Sequence, residues 1–350
     1  MKVDFLLIGQ GLAGTVLSYR LISQGKSVLL IDTPRENSSS RVAAGLYNPI
    51  TGRKMVKTWQ ADILFKEIEP FYSHLEKLLT SRFLYPTPIY RPFLSIEDQN
   101  EWMGKSADPQ YRDYLGEIHT QSKIEEVNDP YGGILLNHSG YLDIGSLLDK
   151  YGIWLLEAGR LRQELYEEDK LTLFEGGLTY KDVEAKAIVY ANGNQAKNSR
   201  FFSFLPFSPV RGEILTIRQG LDSNCIINRG VFRIELPDGT KKLGATYDRI
   251  DLEAGETEKG KKELLEKLAN LINLPVDKIL KHQVGIRPAT RDRKPFLGKH
   301  PHHNQVYIFN GLGAKGVSLA PYFSKEMSDL LLKNRELQKE VNINRFFKYI

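Results

Sequence analysis

An apolar run, Phe5-Leu6-Leu7-Ile8, leads straight into Gly9, Gly11 and Gly14, and this junction constrains the chain more than any other stretch. After the glycines, Leu12, Val16, Leu17, Leu21 and Ile22 recur at helical intervals, and a second apolar run, Val28 to Ile31, ends in Asp32. Strand, glycine turn, helix, strand and acid, with the acid about 20 residues on, is the order of a dinucleotide-binding βαβ unit. Gly9 permits the tight turn, Gly11 lets a pyrophosphate approach the backbone, and Gly14 lets the helix pack close to the strand. The helix start offers unpaired N–H groups and the positive end of its dipole to phosphates. Asp32 is placed to accept hydrogen bonds from an adenosine ribose, and its charge argues against a 2′-phosphate. The fingerprint alone does not separate FAD from NAD.

The 350 residues suffice for two domains with a large core. A net charge of +5 permits an anionic partner without demanding one. The single cysteine, Cys225, excludes an internal disulfide and a cysteine-built metal site, and it fits a reducing compartment. No apolar run reaches the roughly 18 residues of a membrane span. The N-terminus enters a strand with no cleavable signal pattern, so the cytoplasm is the expected location.

Asn37 to Leu46 reads NSSSRVAAGL. Such small residues either lie along a flat ring system, where bulky side chains would clash, or form a solvated surface loop. Arg53, Lys54 and Lys57 make a basic loop. Helical spacing covers Trp59–Leu79, Tyr141–Ala158 and Glu263–Ile272, and strands are expected at Leu161–Tyr166, Leu171–Phe174 and Ala187–Ala191. The turn Ala191-Asn192-Gly193 sits at a strand's carboxyl end, where open parallel sheets bind ligands. Over 83–137 and 206–283, short apolar segments are split by prolines, glycines and polar clusters. These read as an antiparallel substrate domain inserted into a Rossmann-like α/β domain of residues 1–82, 138–205 and 284–350.

Val306–Phe309 leads into Gly311, Gly313 and Gly316, which repeat the G-x-G-x-x-G spacing without a second strand and acid behind them. A glycine turn feeding a helix start is still an anion site. With one nucleotide at the first turn, this helix is expected to face the far end of the same cofactor, where a reduced flavin gains negative charge. His300, His302 and His303 sit beside Pro301 without carboxylate or cysteine partners at ligand spacing, so a solvated loop is expected there rather than a metal site.

The chain resembles the D-amino-acid oxidase (DAO) family of FAD-dependent oxidoreductases along nearly its whole length. The resemblance rests on the Gly9 fingerprint, SSRVAAGL at Ser39–Leu46, YANG at Tyr190–Gly193, PVRGEIL at Pro209–Leu215 and LGATYD at Leu243–Asp248. It continues through GIRPATRDRKPFLG at Gly285–Gly298 and GLGAKGVSLAP at Gly311–Pro321. Two branches look similar: glycine oxidase, and the flavin domain of the bacterial tRNA methylaminomethyl-uridine synthesis protein. The second is suggested by RPATRD, GLGAKG and NINR at Asn342–Arg345.

The resemblance implies a glutathione-reductase-like two-domain fold and FAD, held noncovalently because no cysteine lies near Arg287. It implies an ADP half on Gly9, Gly11, Gly14 and Asp32, with Leu165 at the adenine and Ala191 and Gly193 beside the cofactor. Ser39, Ser40, Ala44, Gly45 and Leu46 would approach the isoalloxazine and its linker. Gly313, Ala314, Lys315, Gly316 and Val317 would lie at the pyrimidine edge. Arg287 matches a substrate-carboxylate arginine, against which stands a structural ion pair with Asp292. Lys315 falls near a second substrate position, and Tyr247 either faces substrate or packs. The implied reaction is hydride transfer from the substrate α-carbon to flavin N5, followed by imine hydrolysis. Three readings remain open. The first is oxidation of an amino acid or N-substituted glycine. The second is removal of a carboxymethyl group from a tRNA wobble uridine, toward which the basic loop leans. The third is a non-catalytic flavin-binding protein.

Overall fold

The computed structural model describes residues 1–52 and 56–349, so Arg53 and Lys54 of the basic loop lie outside the described residues. Among the described residues seven α-helices run in chain order: α1 (Leu12–Ile22), α2 (Ser39–Val42), α3 (Ala61–Leu79), α4 (Ile96–Ser106), α5 (Ile144–Glu157), α6 (Glu258–Ala269) and α7 (Gly316–Lys333).

The strand Lys2–Ile8 lies at the centre of the first sheet, parallel to Val28–Asp32 on one side and to Val183–Tyr190 on the other. Leu161–Gln163 extends the sheet beyond Val28–Asp32. Val183–Tyr190 forks. Its first residues pair antiparallel with Gly177–Tyr180, and its last pair parallel with Val306–Asn310. The central strands are apolar at successive positions because both faces are covered. Leu7, Leu30 and Val189 face α1, α3, α5 and α7, while Leu6, Ile8, Leu29 and Ile188 face the aromatic side chains of Phe201 and Phe202.

The second sheet has eight strands, ordered Lys278–Arg287, Val210–Arg218, Lys241–Gly244, Phe232–Glu235, Ile226–Asn228, Ile89–Pro92, Gly133–Leu136, Leu115–His119. All pairs are antiparallel except Ile226–Asn228 with Ile89–Pro92. Alternation assigns its two faces. Ile89, Ile134, Ile214 and Ile234 pack with Val42, Ala44 and Ile50 toward the first sheet, while Tyr90, Leu215, Ile217 and Leu243 pack with Leu264 and Leu268 of α6. A three-stranded sheet of Leu46–Tyr47, Gly140–Leu142 and Leu84–Pro86 lies beside the large ones. Leu84–Pro86 therefore pairs there and not in the large antiparallel sheet.

Several local readings change. The SSRVAAGL stretch opens with a single helical turn, α2, whose N-cap Ser38 hydroxyl accepts from the Arg41 N–H at 3.4 Å. Residues 96–106 form α4, which periodicity missed because Trp102 and Gln99 alone bury side chains there. α6 starts earlier than its apolar residues suggest, since the Thr257 hydroxyl caps a polar first turn by accepting from the Gly260 N–H at 2.9 Å. His300 is not solvated. It is 7% exposed, stacks on His303 with centroids 4.8 Å apart, and meets Phe201 edge-on. Among the described residues no three His, Cys, Asp or Glu side chains are grouped as metal ligands, and no helix is long and apolar enough to cross a membrane.

Candidate functional site

A cavity of about 1020 Å³ lies between the two large sheets, with the starts of α1 and α7 opening onto it. At its first end the backbone turns at Gly9, whose φ is +102°. A Cβ there would sit 2.8 Å from the Ala191 carbonyl oxygen, so the turn is pressed against the neighbouring strand end. Gly14 does not line the cavity. A Cβ at Gly14 would fall 1.8 Å from the Gly9 carbonyl oxygen, so this glycine lets α1 seat on the turn. The Leu12 N–H donates to Ser40 Oγ at 3.1 Å, and Thr15 is the first to find a carbonyl of the helix start, that of Gly11. The N–H groups of Ala13 and Gly14 have no helical acceptor, as at any helix start. Asp32 lines the same end. Burial pushes its carboxyl pKa up, opposed by the backbone N–H groups of Gln10 and Thr33 and the guanidinium groups of Arg35 and Arg41.

The middle of the cavity is walled by Ser39, Ser40, Ala44, Gly45 and Leu46 on one side and by Ala191 and Gly193 on another. Gly45 has φ +69°, and a Cβ would lie 1.8 Å from the Leu142 carbonyl oxygen, so the protein's own backbone demands glycine there. The Asn310 amide donates to the Gly193 carbonyl at 3.0 Å and ties that turn to the adjacent strand. Leu165 lines the cavity with its side chain 57% exposed.

At the far end Gly313, Ala314, Lys315, Gly316 and Val317 form the entry to α7. A Cβ at Gly316 would come within 3.0 Å of Leu12 Cδ2, so the starts of α1 and α7 lie side by side. Lys315 Nζ donates to Thr51 Oγ1 at 3.2 Å and Thr58 Oγ1 at 3.3 Å. Burial pushes its pKa down, and the cations Arg293 and Lys294 push the same way.

Arg287 ends the outermost strand of the second sheet and faces the cavity. Burial pushes its guanidinium pKa down, with Tyr247 opposing. Its one hydrogen bond runs from Nη1 to the Thr246 carbonyl at 3.4 Å. The ion pair with Asp292 does not form, because Asp292 accepts from Arg345 Nε at 2.9 Å. Gly212, on the adjoining strand, makes room: a Cβ there would lie 2.3 Å from Arg287 Nη2. Thr246 is held in turn by Glu213, whose backbone N–H donates to Thr246 Oγ1 at 2.8 Å. The fully buried Glu213 carboxylate meets Arg211 at 3.2 Å, His282 Nε2 at 2.7 Å and the Thr257 hydroxyl at 2.7 Å. Tyr247 stands outside the cavity lining, 61% exposed, with its ring centroid 5.9 Å from the Arg287 guanidinium and its hydroxyl accepting from Arg249 at 2.9 Å. Of the basic loop, Lys57 pairs with Asp62 at 2.7 Å.

Sequence reasoning missed Gly212 and the Glu213 cluster, which only strand pairing brings to Arg287. It also missed Arg91 and Arg229, which line the cavity from a strand and a turn with no motif of their own.

The residues present fit FAD. A positive-φ glycine turn and an unpaired helix start meet a half-buried carboxylate at one end, and a second helix start, with a lysine held by two threonine hydroxyls, closes the other. The family model described as DAO, FAD dependent oxidoreductase, matches residues 4–330. The tRNA 5-methylaminomethyl-2-thiouridine biosynthesis bifunctional protein MnmC of Legionella pneumophila is 20% identical over 98% of this chain and 57% of its own length. The chain thus spans about half the length of the curated relatives it matches. Among solved structures, glycine oxidase from Geobacillus kaustophilus superposes with a TM-score of 0.80 at 17% identity, covering 99% of this chain and 98% of that one. Iminodiacetate oxidase from Chelativorans sp. BNC1 gives 0.78 at 20% identity, covering 98% of each. The fold is that shared architecture.

Proposed function

Because the chain belongs to the DAO family of FAD-dependent oxidoreductases, we propose that it oxidises, in the cytoplasm, the C–N bond of an amine that carries a nearby carboxylate. The substrate class is an amino acid or an N-substituted glycine. The observation that carries this reading is Arg287, a half-buried guanidinium in the cavity wall that has no carboxylate partner among the described residues. Burying an unpaired charge is costly, and a guanidinium binds a carboxylate through two parallel hydrogen bonds. Arg287 therefore fixes the carboxylate end of the substrate. Ile214, Ala245 and Phe232 line the same wall and exclude water from the reacting end. The α7 start and Lys315 place positive charge across the cavity, where they stabilise an anionic cofactor edge. FAD, when bound, supplies the two-electron acceptor for the hydride.

A second reading, removal of a carboxymethyl group from a tRNA wobble uridine, is favoured by the MnmC relatives that match this chain over most of its length. A carboxymethylamino group presents the same glycine-like unit to Arg287. Anaerobic titration of the holoenzyme, followed by flavin absorption, tests both. Bleaching by glycine, sarcosine, D-alanine or D-proline supports the first, and bleaching by undermodified tRNA alone selects the second. A flavin that none of them reduces sinks both and leaves a flavin-binding protein.

A further inference from the structure

The cavity wall that carries Arg287 carries another unmatched guanidinium. Arg91 sits on Ile89–Pro92, five strand positions along the sheet from Lys278–Arg287. It shares the cavity side with Ile89, while Tyr90 between them points to the α6 side. Its Nε is buried without a partner. Burial pushes its pKa down to about 10, Arg229 pushes the same way, and Asp98 opposes. Asp98 is already taken by Arg229, Nη1 to Oδ2 at 2.8 Å. Two guanidinium groups thus share one carboxylate, and one positive charge is left over on the wall.

The space continues past this pair. A second hollow of about 180 Å³ shares Leu94, Arg229, Lys267 and Asn270 with the main cavity, and Tyr131 borders it with 39% of its surface exposed. Lys267 pairs with Glu263 at 2.5 Å, so Arg91 is the unmatched cation at this end.

We propose that Arg91, backed by Arg229, is a phosphate site for a nucleic-acid strand whose glycine-like modification is held by Arg287. The proposal rests on the C–N oxidation reading and narrows its substrate class. Five strand spacings amount to roughly 24 Å along the sheet. A free amino acid carries its charges close together, whereas a longer anion can meet both of these separated strands. A nucleotide chain carries a phosphate at every unit and aromatic faces for Tyr131 to stack against.

The test measures binding by the holoenzyme of a fluorescein-labelled anticodon stem–loop RNA, by anisotropy over a KCl series. Arg91→Gln should raise Kd about tenfold at low salt and reduce the slope of log Kd against log [KCl] by about 0.7–0.9, the worth of one phosphate contact. Arg91→Lys should restore most of both. Asp98→Asn, which frees Arg229, should tighten binding several-fold. Flavin absorption and melting temperature report the fold of each variant. Unchanged Kd and slope in Arg91→Gln, with no tightening in Asp98→Asn, overturn the assignment. So does an iminodiacetate KM that rises with Arg91→Gln, which would make the anion a second carboxylate. Flavin reduction by small amines with no RNA binding removes this proposal and leaves C–N oxidation standing. Arg91-dependent RNA binding with no flavin reduction by any amine does the reverse.

Discussion

Gly212→Ala is the most direct probe of Arg287, because it moves the guanidinium without touching its chemistry. The added Cβ would lie 2.3 Å from Nη2, 2.4 Å from Nη1 and 2.5 Å from Cζ. Ordinary contact begins near 3.5 Å, so the guanidinium must retreat by about 1 Å. It sits at the end of a flexible side chain, so it retreats at little cost to the fold. Gly212 itself lies within the strand Val210–Arg218, where alanine is about 0.5–1 kcal/mol better than glycine. The melting temperature and flavin content should therefore stay at wild-type values. A retreat of that size misaligns one of the two hydrogen bonds to a carboxylate. A hydrogen bond to a charged group is worth about 1.5–3 kcal/mol, which corresponds to a loss of roughly 10- to 150-fold in kcat/KM. The loss should fall on KM more than on kcat, since carboxylate binding precedes the chemistry and persists through it. Steady-state oxidase assays on the holoenzyme, with the substrate found by anaerobic titration, read this out. A Gly212→Ala enzyme with wild-type kcat/KM and an intact flavin would refute the assignment of Arg287 as the carboxylate anchor.

Three further outcomes follow from other positions. Gly14→Ala would place a Cβ 1.8 Å from the Gly9 carbonyl, backbone against backbone, so α1 must back away from the turn. A destabilisation of about 1–3 kcal/mol and loss of bound FAD are expected, and a purified variant with full flavin content would contradict this. Gly11→Ala meets only the movable Ser40 hydroxyl at 3.2 Å and should spare the fold. His300 is buried and its pKa is pushed down to about 4 by burial, with His303 and His302 adding to it. The unfolded chain takes up that proton near pH 6.5 and the folded protein only near pH 4, so its stability contribution is full above that window and is lost as pH falls through it. The loss reaches up to about 3 kcal/mol, and His300→Phe should flatten the acid limb of urea-unfolding stability measured between pH 7 and 4. An unchanged slope would show that other groups set it.

What could be read from the chain was what local chemistry repeats. Phe5–Ile8 and Val28–Ile31 are covered on both faces, so they are apolar throughout and visible as parallel strands. Gly9, Gly11 and Gly14 follow one of them at a spacing that only a turn onto a helix explains. Strand ends and helix starts carry the cavity lining, and Gly9, Gly11, Asp32 and Gly313 to Val317 all stand on it. What stayed hidden depends on pairing across distance. Gly212 lies 75 positions before Arg287, and only the register Gly212↔Gly285 brings them together. Gly45 lines the cavity, and the Leu142 carbonyl, which no sequence pattern announces, excludes any side chain there. α4 carries too few apolar residues to show a period, and it is capped by Ser95 rather than announced by a stripe.

The distribution of charge around the cavity ties these parts together. Glu213 takes Arg211 and His282, Asp292 takes Arg345, Asp98 takes Arg229, and Asp149 takes Arg41 at 2.6 Å. Each of these carboxylates is thereby engaged by a group other than Arg287, Lys315 or Arg91. Those three line one cavity and, among the described residues, have no acidic partner. Keeping an unpaired cation half-buried lowers stability, and burial pushes the pKa of all three down. That cost is recovered when an anion arrives, and three separate cations along one cavity call for anionic groups at three places. On the proposed reading, a cofactor edge answers Lys315 and a substrate carboxylate answers Arg287. The third, at Arg91, is the one that the proposed phosphate site would answer.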